Sequence, residues 1–199
     1  NGTGPMKLER HDADARVVLT RHKGYWGWAD KRSGNLERVE YVTIRSDATR
    51  LAALTSGEVD MVLDPPYQDI ARLKADSRMQ LQQTADIGQQ YLAFDQARDE
   101  LQDSDVKGRN PFKDLRVRRA VYHALNMPLI IDKVLRGQAQ PTGAFLSPLV
   151  DGVPADANKR LPYDPARARL LLGEAGYPNG FAVTLDCVNV AWRENVCQA

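Results

Sequence analysis

Cysteine and histidine are scarce in this chain, and that closes off several kinds of chemistry. Among 199 residues there are two cysteines, Cys187 and Cys197, and three scattered histidines, His11, His22 and His123. No CxxC pair and no histidine near either cysteine supplies the donor set of a structural zinc site. HExxH, the GxSxG elbow and the Gly-Lys-Ser/Thr of a phosphate loop are missing, and after Gly2-Thr3-Gly4 a lysine, Lys7, stands where a dinucleotide loop has its third glycine. No catalytic residue, metal site or cofactor is therefore assigned. An excess of charge is lacking as well: 27 Lys and Arg balance 26 Asp and Glu to a net +1, which gives no general field for nucleic acid or an anionic membrane. No apolar run approaches the length of a membrane span. Nor is there a basic start leading into an apolar segment and a small-residue cleavage site.

What is present is clear punctuation. Asp164 can cap a helix and Pro165 needs no amide donor in its first turn. Ala168, Leu171, Leu172 and Ala175 share one face, Gly176 ends the helix and Pro178 blocks its continuation. Asn179-Gly180 then turns the chain into an alternating run, Phe181 to Leu185, which predicts a strand. Earlier, Met6–Arg10, Ala15–Arg21 and Val39–Arg45 are β-rich, with Tyr25, Trp26 and Trp28 in the glycine-containing loop between the last two. Asp47 caps a predicted helix that stops at Gly57, Glu58–Leu63 predicts a buried strand, and Tyr67–Lys74 another helix after Asp64-Pro65-Pro66.

Met79–Thr84 and Gln89–Asp95 are further strand candidates, and residues 96–110 form a polar loop too poor in apolar residues to pack, a natural boundary. Beyond it, Val117, Ala120, Val121, Ala124 and Leu125 make a helical stripe behind Asp114, and Asn126 caps a second helix over Leu129–Leu135, stopped at Gly137. Alternation of strand and helix makes the fold class α/β.

In the order Asp-Pro, helix, Glu-Ala-Gly-Tyr-Pro-Asn-Gly-Phe, strand, the stretch Tyr163–Leu185 resembles a segment of the family 5 extracellular solute-binding proteins, the peptide- and nickel-binding components of ABC importers. Five other stretches match in the family's order: GTGPMKL at 2–8, GYWGW at 24–28, DATRLAALTSGEVDMV at 47–62, YLAFD at 91–95 and PFKDLRVRRAVYHALN at 111–126. The resemblance covers nearly the whole chain. It implies a periplasmic-binding-protein-like two-lobed fold (class II type, cluster C), with residues 1–92 the later part of the first lobe and 93–199 the beginning of the second. Both lobes are then incomplete. An export signal ahead of residue 1, a periplasmic or membrane-associated extracellular location, a monomeric state and a membrane link only through the permease or a lipid anchor are further implications.

The implied function is a non-enzymatic receptor that closes on a di- or oligopeptide and delivers it to an ABC permease. An oligosaccharide or a nickel chelate is the alternative ligand within the family. A regulatory or sensor domain, or an unrelated α/β enzyme, is the alternative outside it. Ligands of open α/β sheets collect where strands end, which selects Tyr91 and Asp95 in the segment that passes between lobes in the family. The same argument selects Asn189 and Arg193 after the Phe181 strand, with the arginine suited to a peptide carboxylate. Trp28 stands where the family usually has glycine and is kept as a candidate, while Trp26 reads as locally packed. His123, between apolar neighbours, reads as a hydrogen-bonded structural residue, and Arg116, Arg118 and Arg119, which do not share a face, as a solvated or inter-helix ion-pairing run. For Cys187 and Cys197 two readings stay open: a disulfide behind the Phe181 strand, or two unpaired, partly buried thiols, which is the simpler one.

Overall fold

The computed structural model describes residues 2–29 and 34–199. The chain divides into two compact units, residues 1–65 and 66–199.

The first unit holds an antiparallel sheet of β1 (Met6–Asp12), β2 (Arg16–Arg21) and β3 (Arg38–Val42), followed by α1 (Asp47–Ser56). Register runs through Leu8 opposite Leu19 and Val18 opposite Glu40, with an irregularity between Leu8 and Arg10. Val18 is the buried centre of β2, and Leu51 and Ala53 are the buried face of α1. The α1 cap is Ser46, whose hydroxyl accepts from the Thr49 amide, so Asp47 is the first helical residue and its carboxylate receives Arg50 at 2.6 Å. Gly57 ends α1 at φ 80°, a conformation open to glycine at little steric cost.

In the second unit, the expected helix at 67–74 is a 3-10 turn (Tyr67–Asp69) running into α2 (Ile70–Ala75). Asp114 caps α3 (Leu115–Ala124) by accepting from the Arg116 amide, Asn126 caps α4 (Met127–Lys133), and Asp164 with Pro165 starts α5 (Pro165–Glu174). A last helix, α6 (Ala191–Gln198), follows residues 182–190, all of them exposed. α3 and α5 pack through Ala120, Ala168 and Leu171, the two alanines letting the backbones approach closely. Next to them Leu101, Phe112, Val117 and Tyr177 make the main core, with Val117 fully buried at 0% exposure.

Several expectations need correction. Glu58–Leu63, Met79–Thr84 and Gln89–Asp95 form no strand, and Met61, Leu63, Ile87 and Tyr91 are exposed. Period-two composition prepares a strand, but a ladder needs a neighbour, and the described sheet closes with β1 to β3. Phe181–Leu185 is reduced to a single bridge, Val183 with Ser104. Its partner is the polar loop expected not to pack: Ser104 Oγ donates to the Ala182 carbonyl at 2.7 Å, the Ala182 amide to Asp105 Oδ1 at 2.8 Å, and the Thr184 amide to the Asp103 carbonyl at 3.1 Å. Leu101 supplies the apolar anchor that lets the loop pack. Cys187 and Cys197 are joined in a disulfide, so the free-thiol reading gives way.

Leu171 (5% exposed) and Leu170 (52% exposed) are adjacent on α5. Leu171→Ala in the full-length protein is expected to cost about 2–5 kcal/mol and Leu170→Ala less than about 0.5 kcal/mol, read from urea unfolding and hydrogen exchange at α3 and α5. Equal costs would contradict the packing.

Candidate functional site

Phe112 organises the second unit around the candidate residues. Its ring meets Phe94 at 4.8 Å and Phe181 at 5.8 Å, and Phe181 also meets Tyr177 at 5.0 Å. Tyr91–Asp95 and the segment leading to Asn189 and Arg193 are therefore both hung on one buried aromatic side chain. Sequence places Phe112 and Phe181 in separate motifs, so nothing in their spacing announces the contact.

Asn110 fixes the first of these segments. Its Nδ2 donates to the Asp95 carbonyl at 2.9 Å and to the Arg98 carbonyl at 3.0 Å, while its Oδ1 accepts from the Phe112 amide. Within the turn, Asp95 Oδ1 accepts from the amides of Ala97 and Arg98, and Oδ2 receives the Arg98 guanidinium at 2.7 Å. Those two amides, with help from the guanidinium, hold the Asp95 carboxyl below the usual carboxylate range against a smaller opposing effect of burial. Both oxygens are thus engaged in the turn. Tyr91 is 57% exposed, with its ring edge-on to Phe145 at 5.0 Å.

Asn189 is exposed in a tight turn in which the Val190 amide donates to the Val188 carbonyl. Arg193 lies in the first turn of α6. Its guanidinium sits over the Trp192 ring, 5.0 Å from the centroid, and its Nε is buried without a hydrogen-bond partner. An unmade bond at a buried donor costs about 1–3 kcal/mol, so this N–H lacks the compensation that an acceptor would supply. Trp192 also meets the Tyr67 ring at 6.1 Å. Tyr67, Trp192 and Phe145 were not singled out in the sequence because the ring contacts Tyr67–Trp192 and Tyr91–Phe145 join residues remote in the chain. Only the Trp192-Arg193 pair carries a local hint, an aromatic beside a cation.

Trp28 belongs to the first unit. Its Nε1 donates to the His22 carbonyl at 2.7 Å, Arg21 lies 3.5 Å above the ring, and Tyr25 packs edge-on at 5.3 Å. Trp26, expected to be the locally packed tryptophan, is 81% exposed and touches Tyr25 alone among the described rings. The exchange follows from Arg21, which covers one ring face of Trp28.

His123, Arg116 and Arg118 make structural contacts. His123 is buried with Nδ1 2.8 Å from the Pro162 carbonyl, which can only accept, so Nδ1 carries the proton. Arg116 pairs with Asp114 and donates to the Glu174 carbonyl at the end of α5, and Arg118 donates to the Phe112 carbonyl. A cation at a helix C-terminus stabilises it through the helix dipole. Among the described residues no group of His, Cys, Asp and Glu is placed to hold a metal ion, and no helix is long and apolar enough to cross a membrane.

The model of the bacterial extracellular solute-binding proteins, family 5 Middle, matches residues 1–199, and the chain belongs to that family. It is 30% identical over 184 residues to the glutathione-binding protein GsiB of Shigella flexneri serotype 5b (strain 8401), a match that covers 92% of this chain and 33% of that protein. Heme-binding protein A of Haemophilus influenzae is 31% identical over 180 residues, 90% of this chain and 30% of its own length. Among solved structures, the dipeptide binding protein of Pseudoalteromonas sp. SM9913, in complex with Met-Leu, superposes with a TM-score of 0.68 at 27% identity, covering 90% of this chain and 32% of that one. The chain spans about a third of the length of these relatives and carries part of the two-lobed α/β fold of periplasmic binding proteins.

Because the folded Asp95 value is depressed, the stability it contributes is complete above the unfolded carboxylate value of about 3.9 and is lost as pH falls through the lower folded value. Carboxyl NMR of the full-length protein should find Asp95 ionised below that value, and Asp95→Asn should flatten this acid limb of stability. Titration at the ordinary position would contradict the turn.

Proposed function

We propose that the full-length protein is an extracytoplasmic receptor that binds a di- or oligopeptide, leaves it chemically unchanged and delivers it to an ABC permease. The family is one of solute-binding proteins, which supports a receptor over an enzyme. The dipeptide held by the Pseudoalteromonas relative supports a peptide as the ligand class. We assign residues 1–92 to the later part of the first lobe and 93–199 to the beginning of the second. Ligand contacts favour a closed state, and that population shift is the signal read by the permease.

The observation that carries the reading to a residue is Arg193. A buried, unbonded guanidinium N–H beside Trp192 and Tyr67 combines a charge-assisted donor for a carboxylate with aromatic faces for an adjoining side chain. Tyr91 with Phe145 offers a second aromatic pair, and Asn189 an amide. Asp95 contributes by shaping the turn that follows Phe94. The same aromatic pairs favour an oligosaccharide as the second reading, in which rings stack on sugar faces and no carboxylate is needed.

Calorimetry on the full-length protein separates the two. Arg193→Ala should weaken a peptide with a free carboxyl end by roughly 10–150-fold, about 1.5–3 kcal/mol, while Arg167→Ala, exposed in the first turn of α5, leaves affinity nearly unchanged. Amidating the peptide end should weaken wild type strongly and Arg193→Ala little, since both changes delete one interaction. Equal sensitivity of the two proteins would remove Arg193 from the carboxylate site.

A further inference from the structure

The geometry points to the Cys187–Cys197 disulfide as the positioning element of the ligand-facing turn, holding Trp192 and Arg193 in place for a carboxylate. This inference rests on the Arg193 reading above. α6 has eight residues, no side-chain cap at Val190 and no buried residue. The segment before it, 182–190, is exposed throughout. A helix this short is marginal in water unless packing or a covalent tie holds it, and here packing leaves Trp192, Arg193, Val196 and Cys197 only half-buried, with Trp192 against the Tyr67 ring.

The disulfide supplies the tie. It joins the last turn of α6 to the strand-like run ahead of Asn189, at a sequence separation of ten, so Asn189, Trp192 and Arg193 all lie inside the closed ring. Arg193 and Cys197 are four residues apart, on one face of α6, so the cross-link sits one turn beyond the guanidinium. Closing that ring restricts the free receptor to conformations that present Arg193 over Trp192, and pre-ordering of this kind raises affinity by lowering the ordering cost of binding. The two cysteines are then positioning residues that touch no ligand themselves.

The test opens the ring in the full-length protein in two ways. One is the double variant Cys187→Ser with Cys197→Ser. The other is reduction of folded wild type by a water-soluble phosphine, which becomes its oxide with oxygen from water as the disulfide takes up two electrons and two protons to give two thiols. Opening should weaken a peptide with a free carboxyl end by about tenfold, change the amidated peptide less than about twofold, and add nothing in the Arg193→Ala background. Loss of the same size for both peptides, or loss that persists in Arg193→Ala, overturns the inference. A ligand-free readout stands beside this one. The emission of Trp192, taken as wild type minus Trp192→Phe, should shift to the red when the ring opens, and an unchanged emission also overturns the inference. A shift in emission together with a wild type that does not distinguish free from amidated peptide would instead overturn the carboxylate reading, leaving the cross-link as what positions Trp192 and Arg193.

Discussion

The contact on which the second unit depends is the burial of Phe112 and Val117 against Leu101 and Tyr177. A fully buried valine and a nearly buried phenylalanine contribute about 1.5–3 kcal/mol each by leaving water. Their larger effect is geometric: Phe94 and Phe181 both pack against this core, so two segments far apart in the chain leave it from fixed points. A ligand site built on such segments inherits their precision from the core. Asn110 adds direction by tying the backbone of Asp95 and Arg98 to the start of the Phe112 turn.

Away from that core the protein relies on local devices. The Asp95 turn is closed by its own amides and Arg98, Trp28 by the His22 carbonyl and Arg21, and α6 by a disulfide. Each leaves a particular group in a particular state. Asp95 is fully engaged, Trp28 is covered on one face, and Arg193 keeps an unbonded N–H. This difference, more than position in the chain, is what ranks Arg193 first among the candidates.

Helices α1 to α5 were legible because their signals are local, whereas α6, with no side-chain cap at Val190, was not. Asp114, Asn126 and Asp164-Pro165 begin helices through side chains that reach amides two or three residues away, and Gly57 ends one by its own backbone conformation. Ser46 took the cap expected of Asp47 because both are good acceptors and the choice of one residue over the next is decided by backbone geometry. Strands were less legible: the pattern at 58–63, 79–84 and 89–95 reports which faces are apolar, but says nothing of the neighbour a ladder requires. Among the candidate residues, Arg193 was chosen for its place after an apolar run, whereas the ring contacts of Tyr67 and Phe145 and the pairing of Cys187 with Cys197 depend on distances that spacing does not encode. Polar residues 103–105 misled for the opposite reason, since they pack by hydrogen bonding to residues 182–184, remote in the chain.

The proposed receptor binds peptide as the whole protein and does not transform it. Native mass spectrometry of the full-length protein, incubated with a mixed pool of short peptides and desalted without denaturation, measures this directly. Adducts at the masses of intact di- or oligopeptides are expected, with the pool otherwise unchanged. Adducts of sugars or metal chelates only, or progressive cleavage of the pool, would contradict the proposal.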